Sequence, residues 1–319
     1  SHAVTALNTT NFSEVTLTLN DTEAAVANTT ISVGAANTLK VAGAGALTVG
    51  TSVTAASVDG SDMTGVLDIT MTATTALSAT GGSAGDEFTL GAVADYVIDG
   101  GDGTDNVTIN GSDFSGGAKT LSLTNVETLT TTTTTAIDAA DLTGQTLIIK
   151  SDADAADAIT VATGGTGAVA DLSGLTLITA TLALNGGAGN DTLTGSLASV
   201  TTISGGNGAD TIIGGNVADK INGEAGADEV TAGEGADLII VNGGDTVDLS
   251  ETTSAIDTII LNATNGGSAA GAVGGTLTGY NNITGFNATN DIVIAESDDD
   301  YTADITSVVF DNEVIITSS

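Results

Sequence analysis

The chain of 319 residues has no cysteine, no proline and no tryptophan, and sets only four basic residues against 40 acidic ones. Without cysteine, no disulfide framework and no thiolate metal site can form. Without proline, no residue lacking an N–H interrupts a β-ladder, which suits long runs of strand. Aromatic residues make up 3% of the chain, so any core must be thin and aliphatic. A formal net charge of -36 excludes nucleic-acid binding, because neutralising phosphates takes lysine and arginine. It also opposes approach to anionic membrane surfaces, and its self-repulsion means that cations should stabilise the compact state.

One histidine, His2, is too few for a triad base elsewhere in the chain or for a histidine zinc site. Gly81-Gly82-Ser83-Ala84-Gly85 matches the G-x-S-x-G pattern of a nucleophile elbow but has no histidine partner. Paired carboxylates are plentiful, yet a sugar-cleaving site also wants aromatic platforms. No catalytic activity is expected. No apolar run approaches the roughly 20 residues of a membrane helix. The most apolar stretch, Leu175–Leu184, is broken by threonines. The opening Ser1-His2-Ala3-Val4 has neither a basic segment nor an apolar core, so no signal peptide is expected there. The missing initiator methionine leads us to expect a piece of a larger protein.

What the chain has is glycine at fixed intervals. Apolar residues are 41% and the mean hydropathy is positive, so this is not the composition of a disordered chain. Between Gly186 and Ile240 a nine-residue pattern recurs. Its best copies are Gly186-Gly187-Ala188-Gly189-Asn190-Asp191-Thr192-Leu193-Thr194 and Gly205-Gly206-Asn207-Gly208-Ala209-Asp210-Thr211-Ile212-Ile213. Three more start at Gly214, Gly223 and Ala232. This is G-G-x-G-x-D-x-U-x, with U a large apolar residue. The glycines permit a turn at positive φ, and the last three residues form a short strand. Leu193, Ile212, Ile221, Val230 and Ile239 are then expected to point inward and stack. Two repeats make one coil, so turns on one side recur about 18 residues apart, as in Asp210/Asp228 and Asp219/Asp237; Ser204 makes Asp191/Asp210 nineteen. Stacked turns would gather aspartates and backbone carbonyls around several calcium ions, each of which takes six to eight oxygens. The candidate ligands are Asp191, Asp210, Asp219, Asp228 and Asp237 with the turn glycines Gly187, Gly189, Gly206, Gly208, Gly226 and Gly235. The pattern is imperfect: Gly195–Ile203 has no aspartate, and Val217 and Glu224 replace turn glycines.

These residues resemble the calcium-binding repeats-in-toxin (RTX) family. The resemblance implies a parallel β-roll, export through a type I secretion channel and folding outside the cell on binding calcium. The segments Asp257–Leu261 and Tyr280–Ile294 look like the strands that follow such a roll. A separate copy, Gly100-Gly101-Asp102-Gly103-Thr104-Asp105-Asn106-Val107-Thr108, lies upstream with no neighbour in sequence. Its Asp105 is either a calcium ligand or a plain turn residue. Asp86, after the Gly81–Gly85 stretch, reads as a degenerate calcium turn.

Residues 1–184 read as β throughout, with alternation in Val15–Leu19, Leu121–Thr124 and Leu177–Leu184. A second motif, Asp–apolar–Ser/Thr–Gly, occurs at Asp62–Gly65, Asp113–Gly116, Asp141–Gly144 and Asp171–Gly174. It reads as a turn whose aspartate bonds the backbone and whose apolar residue anchors it, in preference to calcium at Asp59/Asp62 and Asp138/Asp141. The six threonines 130–135 are open between an exposed strand, a flexible link and a glycan acceptor. The acidic clusters Asp152/Asp154/Asp157 and Asp298–Asp300 read as solvated surface. Asn125-Val126-Glu127-Thr128-Leu129 and the Thr/Ala/Gly-rich acidic composition resemble bacterial surface-layer proteins with toxin-type repeats, such as those of Gram-negative cells.

The expectation is therefore an all-β chain: parallel β-roll or β-helix segments with additional strand-rich domains, either sandwich or β-helix-like. The expected division is a surface-layer region over 1–184, the roll over 185–249 and a capping region over 250–319. The expected function is a structural surface-layer protein at the bacterial cell surface that folds and self-assembles into a two-dimensional lattice with calcium. Its partner is another copy of itself, with cell-surface polysaccharide reached through regions outside this chain, and neither nucleic acid nor inserted membrane. The alternative is an RTX adhesin or biofilm-matrix binding module.

Overall fold

The computed structural model describes residues 7–8, 12–20, 26–34, 37–71, 77–91, 95–111, 113–115, 119–152, 157–165, 167–178, 180–242, 244–261, 282–285, 287 and 291–295. Among these, strand is nearly the whole of the regular structure, and the strands pair in parallel. Asp154, the cluster Asp298–Asp300, Gly116 and most of Tyr280–Asn290 lie outside the described residues. The one helix among them, Ala139–Leu142, falls in a stretch that reads as β from its sequence. It spans four residues at an Asp–Leu–Thr–Gly turn, too short to leave any periodic signal.

Successive strands alternate between two sheets. Leu67–Met71, Glu87–Leu90, Asn106–Ile109 and Thr128–Thr131 lie side by side in one; Ser57–Met63, Leu77–Thr80, Tyr96–Asp99 and Leu121–Thr124 lie side by side in another. The later strands repeat the scheme. Thr181–Ala188, Thr201–Asn207, Lys220–Ala225, Leu238–Val241 and Thr258–Leu261 share one sheet, and Thr192–Thr194, Thr211–Gly215, Glu229–Gly233 and Thr246–Asp248 share another. One strand from each sheet makes a coil, and the coils stack as a parallel β-solenoid. Of the two forms open for residues 1–184, the β-helix-like one is found.

The described chain divides into two compact units. The first holds Ser1–Asp141, Thr146–Ile159 and Ile178–Ala180, and the second holds Leu142–Gln145, Thr160–Leu177 and Thr181–Ser319. In each, side chains alternate in and out along most strands, and the inward ones stack in register on the neighbouring coil. In the second unit Leu193, Ile212, Val230 and Val247 form one buried row. Ile203, Ile221, Ile239 and Ile259 form the other. Each such side chain contributes roughly 1.5–3 kcal/mol by burial. In the first unit Ile69, Phe88, Val107, Leu129 and Ile149 continue one another in the same way.

The Asp–apolar–Ser/Thr–Gly motif is a turn with a buried anchor: Met63, Phe114, Leu142 and Leu172 are all in the core. Asp113 accepts from the Ser115 N–H at 2.9 Å, and Asp171 from the Ser173 N–H at 3.1 Å. In the two longer copies the earlier aspartate takes this role, Asp59 with Ser61 and Asp138 with Ala140. The Lys40 ammonium stands 2.8 Å from Asp62 and 3.9 Å from Asp59, supplying the positive charge there. The threonine run is part strand and part link, with the exposed Thr133 and Thr134 joining two strands. Thr128–Thr131 and Thr135–Asp138 are strands, with Thr131 and Thr135 buried. Thr131 sits between Ile109 and Ser151 in the ladder, where a β-branched side chain fits the pleat.

Candidate metal centre

The aspartates of the repeats are buried, and each is tied to the coil before it. Oδ1 of Asp191 accepts the Ala168 N–H at 2.6 Å. Asp210 accepts from the Asp191 N–H at 2.8 Å, Asp228 from Asp210 at 2.9 Å, and Asp245 from Asp228 at 3.0 Å. A second row has the same form: Asp219 accepts from Thr201 at 2.7 Å, Asp237 from Asp219 at 2.7 Å, Asp257 from Asp237 at 2.9 Å, and Asp291 from Asp257 at 3.2 Å. Each carboxylate thus uses one oxygen to satisfy the N–H that opens the preceding strand on its side.

The first unit has a row of its own. Leu67 donates to Asp86 at 2.8 Å, Asp86 to Asp105 at 2.6 Å, and Asp105 to Glu127 Oε2 at 2.7 Å. The Gly100–Thr108 copy therefore does have a stacked neighbour. It is the degenerate Gly81–Thr89 turn nineteen residues earlier, whose Phe88 pairs with Val107. Ser83 and Ala84 hide that copy from a pattern search, because the third glycine comes at Gly85.

The second oxygen is the telling one. Oδ2 of Asp105, Asp191, Asp210, Asp219, Asp228 and Asp237 is shut off from water and meets no hydrogen-bond donor. A buried anionic oxygen with no partner is costly. Burial pushes the Asp228 and Asp237 carboxyls up to about 7 and those of Asp105, Asp219 and Asp257 up to about 6. Burial raises Asp210 and Asp245 as well. Asp86 is raised for the same reason, but Asp86 and Asp245 have both oxygens occupied, since the Gly82 N–H reaches Oδ2 of Asp86 at 2.7 Å and the Asn242 N–H reaches Oδ2 of Asp245 at 2.8 Å.

The glycines bring the turns close enough to shape these sites. Gly206 has φ 104°, and a side chain there would put Cβ 2.1 Å from the Gly187 carbonyl oxygen. Gly208, at φ 134°, would put Cβ 2.0 Å from the Gly189 oxygen. Gly226 and Gly235 are equally crowded, against Gly208 and Val217. Glu224 occupies the place of Gly206 one coil later and is forced to φ 66°. The aspartate-free segment Gly195–Ile203 solves the same problem without charge. Ser196 and Thr201 are buried in it; Thr201 Oγ1 accepts the Ser196 N–H at 3.1 Å, and Ser196 Oγ takes the N–H groups of Ala198 and Ser199 and donates to the Leu175 carbonyl.

The donor set suits a hard cation. It consists of carboxylate and backbone oxygens only, with buried negative charge and no ammonium in the rows. Asp191, Asp210, Asp219, Asp228, Asp237 and Asp105 would hold calcium through their free oxygens, with carbonyls of the turns of Gly187, Gly189, Gly206, Gly208, Gly226 and Gly235. Bound there, calcium supplies the positive charge that the rows lack. Among the described residues no three acidic side chains converge on one point. An ion held here would take its remaining oxygens from the backbone and from water.

Residues 183–197, 204–239 and 213–248 match the family model of the RTX calcium-binding nonapeptide repeat, in four copies. This segment is similar to RTX calcium-binding repeats, and the match covers less than half of the chain. Proteins with RTX repeats are typically secreted and extracellular. No curated protein and no solved structure matches the chain. The RTX match stops at residue 248, whereas the carboxylate row continues through Asp257 to Asp291.

Sequence reasoning missed Glu127, Asp245, Asp257 and Asp291 as members of the rows, and also Asp157, a buried residue with an unpartnered Oδ2 in what reads as a solvated cluster. Their shared signal is an acidic residue directly before a short strand, as in Asp245-Thr246-Val247 and Glu127-Thr128-Leu129. Gly243-Gly244 stands directly before Asp245 but out of the nonapeptide spacing, and no glycine stands in the six residues before Glu127 or Asp257.

Proposed function

We propose that the protein is a structural component of an extracellular bacterial surface layer, exported through a type I channel, that folds and assembles into a two-dimensional lattice when calcium fills its carboxylate rows. The observation that carries this reading is the series of buried, unpartnered Oδ2 atoms. Such a series opposes folding at low calcium and favours it where calcium is plentiful, as it is outside cells. Extracellular sites of this kind bind at about 0.1–1 mM, and at ten times the dissociation constant each contributes roughly 1.4 kcal/mol. Several together decide between folded and unfolded chain. The role is mechanical, not catalytic. The self-partner is favoured by the regular, ladder-built form and the surface-layer style of the sequence. Attachment to cell-surface polysaccharide is assigned to regions outside this chain.

The test is a calcium titration of the calcium-stripped protein, followed by circular dichroism and then by negative-stain electron microscopy of the same sample. A coil-to-β transition accompanied by ordered sheets is the expected result. Folding without assembly favours an adhesin or matrix-binding module. No response to calcium overturns both.

A further inference from the structure

The turn before the strand Thr258–Leu261 abandons the repeat yet continues its row. Glu251-Thr252-Thr253-Ser254-Ala255-Ile256-Asp257 contains no glycine, and Asp257 still accepts the Asp237 N–H at 2.9 Å. The turn is fastened to the coil before it by Glu234. One Glu234 oxygen takes the N–H and hydroxyl of Thr252, both at 2.7 Å, and the other takes those of Thr253 at 3.0 and 2.6 Å. Glu234 is thereby fully occupied. Glu251 is not. Its Oε1 accepts the Ala255 N–H, while its Oε2 is closed off from water without a partner. Oδ2 of Asp237, a residue 1% exposed, is in the same condition. The charge of Glu251 acts on both Asp237 and Asp257. Among the described residues the only ion pairs are those of Lys40, so no ammonium compensates this group.

We propose that Glu251 and Asp237, through their unpartnered buried oxygens, hold a calcium ion at a site that the nonapeptide pattern does not encode, the remaining ligands coming from the turn backbone and water. In the glycine turns the backbone bends through positive φ and can offer its carbonyls. A turn without glycine resists that bend, and a longer acidic side chain reaches in instead. The inference rests on the calcium reading of the rows and adds a ligand from outside the RTX match.

Bound calcium per chain is counted by elemental analysis after equilibrium dialysis of the full chain against calcium alone, for the unsubstituted protein, Glu251→Gln and Glu229→Gln. Glu229 is an exposed strand residue, so its variant makes the same change in net charge away from the site. Glu251→Gln is expected to bind one ion fewer, and Glu229→Gln the full number. Far-UV circular dichroism in saturating calcium checks folding. Should Glu251→Gln fail to fold, Glu251→Asp, which keeps the charge but shortens the reach, carries the same expectation. A full complement of ions in the folded Glu251 variant overturns the site while leaving the rows intact. No calcium on the unsubstituted protein overturns the rows, and the site with them.

Discussion

The backbone N–H of Asp210 donates to Oδ1 of Asp228, eighteen residues further on, at 2.9 Å, and leaves Oδ2 of Asp228 buried without a donor. One carboxylate thus has two separable tasks, a neutral one at Oδ1 and a charged one at Oδ2. Asp228→Asn keeps an acceptor for the Asp210 N–H and removes the charge. The calcium-free variant is expected to be at least as stable as the unsubstituted protein. Its folding midpoint should move to about tenfold higher calcium, the equivalent of about 1.4 kcal/mol. Circular dichroism titrations of the two proteins measure this, and an unchanged midpoint would remove Asp228 from the metal-binding set.

Acid should act in opposite directions with and without calcium. Asp228 and Asp237, raised to about 7, and Asp105, Asp219 and Asp257, raised to about 6, bind protons more tightly folded than unfolded. The destabilisation they cause is complete above about pH 7 and is relieved as the pH falls towards the ordinary carboxylate value of about 4. In a chelator, the thermal midpoint at pH 5 is expected to exceed that at pH 8. In calcium, protons compete for the same oxygens, so the calcium midpoint should rise over that interval. A calcium-stripped protein that weakens on acidification from pH 8 to 5 contradicts the burial argument.

Glu224 holds a backbone conformation that its neighbours in the row assign to glycine. A left-handed non-glycine residue costs roughly 1–2 kcal/mol, partly offset here by glycine's greater freedom when unfolded. Glu224→Gly should raise stability in calcium by about 0.5–1 kcal/mol, read from urea midpoints. A loss instead would mean that the Glu224 bond to Ser204 outweighs the strain.

Gly208→Ala tests the packing of the turns. With Cβ directed at the Gly189 oxygen and φ at 134°, the variant combines a clash with backbone strain. A loss of about 2–3 kcal/mol is expected in saturating calcium. A loss below about 0.5 kcal/mol, typical of an unconstrained surface position, would show that the coils are not held this close.

The sequence made the roll legible because glycine, aspartate and the apolar residue recur at fixed spacing, and Asp191 through Asp237 stand where that spacing puts them. It also implied parallel strands for residues 186–240. It said less about the first unit, where, outside the Gly81–Thr89 and Gly100–Thr108 turns, the coils are built from Thr, Ala and Val without a glycine signature and differ in length. There the stack is visible only through its hydrogen bonds. Asp86 and Asp105 are nineteen residues apart like Asp191 and Asp210, but a displaced glycine obscures the kinship. Glu251 was illegible because its role depends on which oxygens its neighbours leave unmet, a property of three dimensions alone.

The spacing of the rows decides which kind of positive charge can silence them. Neighbouring parallel strands lie about 4.8 Å apart, so the carboxylates recur at intervals shorter than the roughly 8 Å Debye length of physiological saline. A diffuse ion atmosphere is too coarse to slip between one aspartate and the next, and the buried oxygens are closed to it in any case. Sodium in bulk can quiet the exterior of the molecule but not its seams. On the proposed reading, an environment as salty as the sea still leaves the coils apart until an ion arrives that gives up water and sits down inside.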